Sequence, residues 1–124
     1  MEHTRRCRIL LVEDHADTRD LLVRLLSRSF QVEVAGCFSS ALAAAERATP
    51  DLVITDLGLP GRDGVEVMRE IRQRYGIPGI AVTGHPIDDP EAFRSAGFCT
   101  WLRKPIRFDE LFAAISSACA VPAS

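Results

Sequence analysis

The feature that most constrains this chain is its alternation of short apolar runs with helical stretches, five rounds in 124 residues. Arg8–Val12 is a nearly continuous apolar run, as a strand buried on both faces requires. Residues 18–29 follow, with Leu21, Leu22, Leu25 and Leu26 forming one helical stripe. Gln31–Ala35 alternates polar Gln31 and Glu33 with Val32 and Val34, the pattern of an edge strand with one wet face. Ser39 is positioned to cap an alanine-rich helix running to about Ala48. Residues 51–55 form the third strand and end on Asp56, before a Gly- and Pro-rich loop over 57–62. Asp63 and Glu66 have capping-box spacing for a helix whose inner face carries Val67, Met68 and Ile71. Gly79–Thr83 is the fourth strand. Asp89, Pro90 and Gly97 read as N-cap, first turn and C-terminal stop of a short helix. A fifth strand over 99–103 and a last helix over 108–119 complete the series, with a tail over 121–124.

Such alternation predicts a parallel sheet between two layers of helices, in a single domain over residues 1–124 with its core at about 7–120 and short flexible ends. In these sheets ligands bind outside the carboxyl ends of the strands. Strand one ends in Glu13-Asp14, strand three in Asp56, strand four in Thr83-Gly84, and strand five leads into Lys104-Pro105. Taken singly these are turns, caps and good strand residues. Together they gather three carboxylates, a hydroxyl and an ammonium in one place. Clustered carboxylates repel, and a hard divalent cation with oxygen ligands, magnesium or manganese, relieves the repulsion. Lys104 and Thr83 suit phosphoryl oxygens, as a compact charge and a hydrogen-bond donor.

Composition narrows the alternatives. The net charge of −2 argues against a partner gathered by bulk attraction to nucleic acid. No apolar run approaches the roughly 18 residues that a membrane span needs, and the basic start lacks the long apolar stretch of a signal peptide. The four cysteines, Cys7, Cys37, Cys99 and Cys119, have no zinc spacing and read as reduced small apolar residues of a cytoplasmic protein, without a disulfide. Imidazole has no evident metal role at His3, His15 or His85. There is neither a GxxxxGK nor a GxGxxG loop for nucleotides. Of the fifteen basic side chains all but Lys104 are arginine.

The chain resembles the receiver domain of two-component response regulators. The likeness rests on Leu10-Leu-Val-Glu-Asp14, Asp51-Leu-Val-Ile-Thr-Asp-Leu-Gly-Leu-Pro-Gly-Arg-Asp-Gly64, Ala81-Val-Thr-Gly84 and Lys104-Pro105, and it covers essentially the whole chain. It implies a doubly wound, flavodoxin-like α/β fold: a five-stranded parallel sheet of order 2-1-3-4-5 with five helices. It implies that Asp56 accepts a phosphoryl group from a histidine kinase or histidine phosphotransfer protein. Glu13, Asp14, Asp56 and the Gly58 carbonyl would hold the magnesium, and Thr83 and Lys104 would receive the phosphoryl oxygens. Pro105 would follow a cis peptide. Such a chain is a signalling phosphoacceptor and not a turnover enzyme; it catalyses only its own phosphoryl transfer and its own dephosphorylation.

Some positions depart from the family pattern. Trp101 stands where the family carries Tyr or Phe, so the residue either fills the sheet face or still swings inward as Thr83 moves. Gly58 and His85 occupy the two positions that flank the path of attacking water. The first helix, with Thr18 and Leu22, is the expected contact for the phosphodonor. The face of helix four, strand five and helix five, with Phe93, Trp101 and Phe112, is the expected surface for an output partner or a second copy. The resemblance allows a free-standing receiver or one from a hybrid histidine kinase, and the Gly84-His85-Pro86 loop leans to the latter. Two rivals remain: a receiver-like interaction domain that never uses its phosphorylation site, and an Asp-nucleophile phosphatase. The phosphatase reading is weak, because it wants a second acid where Gly58 stands.

Overall fold

The structure, a computed structural model, describes residues 7–59 and 61–119. The expected flexible ends, the tail over 121–124, His3 and Pro60 of the 57–62 loop lie outside the described residues. The order of elements is β1 (Arg8–Val12), α1 (Ala16–Leu26), β2 (Gln31–Ala35), α2 (Phe38–Arg47), β3 (Leu52–Asp56), α3 (Gly64–Tyr75), β4 (Gly79–Thr83), α4 (Pro90–Ala96), β5 (Phe98–Arg103) and α5 (Phe108–Ala118). All strand pairs are parallel, in the order β2-β1-β3-β4-β5. The doubly wound α/β fold is therefore the one the resemblance implies.

Successive strand residues point to opposite faces, and the two faces build two separate cores. Ile9 and Leu11 of β1, with Leu52, Ile54, Ile80 and Val82, pack under Leu22 and Leu26 of α1 and Leu111 and Ile115 of α5. Leu10 and Val12, with Val53 and Ala81, pack under the alanines of α2 and under Val67, Met68 and Ile71 of α3. Asp63 caps α3 by accepting a hydrogen bond from the Glu66 amide (3.1 Å), and Asp89 caps α4 through the Ala92 amide (3.2 Å). Gly97 ends α4 at φ 119°, a conformation that favours glycine.

Several local expectations need correction. The N-cap of α2 is Cys37, not Ser39; the hydroxyl of Ser40 accepts from the Cys37 amide and completes a capping box. The wet face of β2 is not clean, because Val34 is exposed while Glu33 is half-buried and pairs with Arg47. Helix α1 starts two residues earlier than expected and stops at Leu26. The largest correction concerns the cysteines. Cys7 and Cys119 form a disulfide, with their Cα atoms 6.4 Å apart, and Cys37 and Cys99 are free. Cysteine spacing in sequence carried no sign of this. The pair meets because β1 begins and α5 ends at the same end of the sheet, beside each other in the α1–α5 core.

Candidate functional site

Four strands, β1, β3, β4 and β5, end at the same rim, and the residues at or just after their ends set the site. Strand β3 is buried along its whole length and ends on Asp56, which is almost fully buried. Burial of a carboxylate is costly unless it is paired. Here Lys104 Nζ lies 2.8 Å from Asp56 Oδ2, and the Gly58 amide donates to Asp56 Oδ1 at 3.0 Å. Lys104 reaches across the end of β4, and its own amide donates to the Thr83 carbonyl at 2.8 Å. The Lys104–Pro105 bond is cis. Burial alone would push the Lys104 ammonium down. The hydrogen bond and charge of Asp56, with the charges of Glu13 and Asp14, outweigh it and hold its pKa above the usual lysine value.

Strand β1 delivers Glu13 and Asp14 to the same rim. Ligand atoms of Glu13, Asp14, His15 and Asp56 all lie within 4.8 Å of one another. Glu13 is buried. Its Oε2 accepts from the His15 amide (3.1 Å) and lies 3.2 Å from His15 Nδ1. Asp14 Oδ1 is buried and has no hydrogen-bond partner, a costly condition for a carboxylate oxygen. An oxygen-rich donor set with one orphaned oxygen fits a hard divalent cation held by Glu13, Asp14 and Asp56.

The loop after β4 closes the other side. Thr83 Oγ1 donates to the His85 carbonyl and accepts from the His85 amide, both at 3.0 Å. The hydroxyl is thus engaged with its own loop. Asp56, Gly58, Thr83, Gly84, His85, Phe93 and Lys104 line one open pocket. A Cβ on Gly58 would lie 3.9 Å from Asp56 Oδ1, so the position is roomy and not strained. Gly64 is different. A Cβ there would come within 2.4 Å of the Asp56 carbonyl oxygen, so glycine lets α3 start against the end of β3.

The structure thus brings Glu13, Asp14, Asp56, Gly58, Thr83, Gly84, His85 and Lys104 to one rim. Trp101 stands apart. It is half-buried on β5, edge-on to Phe93 at 5.9 Å, with the Arg94 guanidinium 5.6 Å from its ring. Sequence reasoning set His15 aside and missed Arg19, whose Nη1 donates to the Glu13 carbonyl (3.3 Å). Thr18 and Leu22, the expected donor contacts, both line a groove at α1. Leu22 is buried, and Leu21, 55% exposed, borders the same groove with Leu25, Ile106 and Phe108. Phe112 turns toward Phe30 and Phe108 and does not join Phe93 and Trp101. No helix among the described residues is long and apolar enough to cross a membrane.

Comparison with known proteins identifies the family. Residues 9–116 match the response regulator receiver domain family. The sensory transduction protein RegX3 of Mycolicibacterium smegmatis is 37% identical over 109 residues, covering 86% of this chain and 48% of the relative. The DNA-binding response regulator MtrA of Mycobacterium tuberculosis is 34% identical over 114 residues, covering 90% and 50%. A 14.6 kDa protein of Leptolyngbya boryana is 35% identical over 116 residues, covering 90% and 88%. The chain therefore spans about half the length of RegX3 and MtrA. Among solved structures, a LuxR-family two-component response regulator from Aurantimonas superposes with a TM-score of 0.84 at 32% identity, covering 93% of this chain and 86% of that one. A CheY-like receiver domain protein from Methanospirillum hungatei superposes at 0.83 with 27% identity, covering 90% and 92%.

Proposed function

Since this chain belongs to the response regulator receiver domain family, we propose that it is a phosphoacceptor switch, taking a phosphoryl group onto Asp56 from a histidine kinase or a histidine phosphotransfer protein. The observation that carries this reading is the Asp56–Lys104 pair: a buried carboxylate 2.8 Å from the chain's sole ammonium side chain, beside an acidic pair with an orphaned oxygen.

Phosphoryl transfer has a loose transition state, so the protein's work is positioning and charge neutralisation. An Asp56 carboxylate oxygen forms the new O–P bond as the P–N bond of the donor's phosphohistidine breaks. The Gly58 amide and Lys104 hold Asp56 in place for that step. Lys104 then turns its ammonium from the carboxylate to a phosphoryl oxygen. Glu13, Asp14 and Asp56 would hold magnesium or manganese, which when bound neutralises the crowded negative charge and polarises the phosphoryl oxygens. Thr83 leaves the His85 carbonyl and donates to the phosphoryl group, which moves the Gly84–His85 loop. Gly58 and His85 flank the approach of water, which later hydrolyses the aspartyl phosphate.

The groove at Leu21, Leu25, Ile106 and Phe108 borders Lys104 and Pro105 and suits the phosphodonor. The face of α4, β5 and α5, with Phe93 and Trp101, suits an output partner or a second copy. The family's signalling role favours a cytoplasmic setting.

The test is incubation with magnesium and acetyl phosphate, followed by intact-mass measurement. One phosphoryl group should be taken up by the wild type and none by Asp56→Asn. A folded wild type that takes up neither phosphoryl nor beryllofluoride would make this a receiver-like interaction domain instead.

A further inference from the structure

We propose that Cys7 and Cys119 are a reversible redox staple, whose closure pins the C-terminal end of α5 to the start of β1 and whose opening frees that end. The pair is independent of the phosphorylation chemistry. Cys7 precedes β1 at the amino end of the sheet, whereas Asp56, Thr83 and Lys104 lie at the carboxyl ends of their strands. The two ends of α5 are therefore held differently. Its first residue, Phe108, follows Lys104 by four positions, and its last turn leads directly into Cys119.

The last turn has little else to hold it. It carries no basic side chain, and its C-cap is not a left-handed glycine. Ile115 is its last fully buried residue, and Ser116 and Ser117 are exposed. The covalent bond to Cys7 is thus the firmest tie at this end.

The two sulfurs differ in access. Cys7 is buried and Cys119 is half-buried. Exchange therefore runs through Cys119. In closing, the Cys119 thiolate attacks a low-molecular-weight disulfide, giving a mixed disulfide and releasing one thiolate. The Cys7 thiolate then attacks the Cys119 sulfur and releases the second. Two protein thiols lose two electrons and two protons in all, and the small disulfide is reduced to two thiols. In opening, an external thiolate attacks the Cys119 sulfur and Cys7 leaves as thiolate; a second external thiolate then attacks the outer sulfur of the mixed disulfide, Cys119 leaves as thiolate, and the two external thiols depart as a small disulfide. Cys37 and Cys99 are free thiols, and hydrogen bonds from Ser39 and Ser40 pull the Cys37 thiol down to about 7, so the mapped Cys7–Cys119 peptide and not total thiol loss reports the pair.

The test equilibrates the full chain with oxidised and then reduced glutathione, maps cross-linked peptides by mass, and follows amide hydrogen exchange in α5. The expected result is a Cys7–Cys119 peptide that forms under oxidised glutathione and disappears under millimolar reduced glutathione. Exchange at Ser116, Ser117, Ala118 and Cys119 should accelerate at least tenfold on reduction. Cys119→Ser, at the half-buried position, should exchange at the reduced rate under both conditions. Three results would overturn the proposal: a cross-link that survives excess reduced glutathione in the folded protein, a folded protein that never forms it, or exchange in the last turn that ignores the redox state.

Discussion

At the scale of single residues, the site is an argument about one ammonium. Lys104 stands 2.8 Å from a buried carboxylate, where a compact point charge fits and a broad planar guanidinium does not. Lys104→Arg should keep the net charge and the fold, seen as an unchanged circular dichroism spectrum, and lower the rate of phosphoryl uptake from acetyl phosphate at least tenfold. The pair also makes a prediction about pH. Its folded pKa is raised above the ordinary 10.5, so the stability it contributes is complete below that value and is lost as pH rises through the raised one. Urea unfolding of wild type and Lys104→Met should therefore differ at pH 9, and the difference should shrink above pH 11. Asp56, Thr83 and Lys104 were legible in the sequence because each follows a strand of a recognisable alternation. His15 was not legible. Only the geometry at the start of α1 turns its ring nitrogen back to within 3.2 Å of Glu13, and a histidine beside two acids reads otherwise as surface.

At the scale of elements, helix starts were read well where a side chain caps by itself. Asp63 and Asp89 carry the signal and do the capping. Asp63→Ala should cost about 1 kcal/mol in urea unfolding. The start of α2 was misread because Ser39 and Ser40 both look like caps, whereas the chain turns at Cys37 and uses Ser40 from inside the helix. The edge strand was half legible. Alternation identified β2, but an edge has no neighbour to enforce it, so Val34 faces solvent. Gly64 marks the tightest junction of two elements in the site. Gly64→Ala should cost about 2–3 kcal/mol, measured by the same unfolding, because the new methyl meets the carbonyl of Asp56 and not a side chain that can yield.

At the scale of the whole molecule, five apolar runs separated by helices were enough for a parallel sheet, and the resemblance supplied its strand order. The junction of the start of β1 with the end of α5 was not readable, because Cys7 and Cys119 lie 112 residues apart and meet only when β1 and α5 are both in place. The Asp56 pocket has a convenient reporter. Trp101 is the sole tryptophan and lies on β5 against Phe93, which lines the phosphorylation pocket. Beryllofluoride with magnesium should change its emission in the wild type and leave Asp56→Asn unaffected; a silent wild type would mean that Trp101 only fills the sheet face. The crossing of Lys104 over the end of β4 has a further consequence. The carboxylate and its ammonium lie 48 positions apart, one at the end of β3 and the other just after β5. Until β5 joins the sheet, the buried Asp56 carboxylate lacks its ammonium partner. Under the proposed switch, competence to accept a phosphoryl group thus waits until β5 has docked on β4.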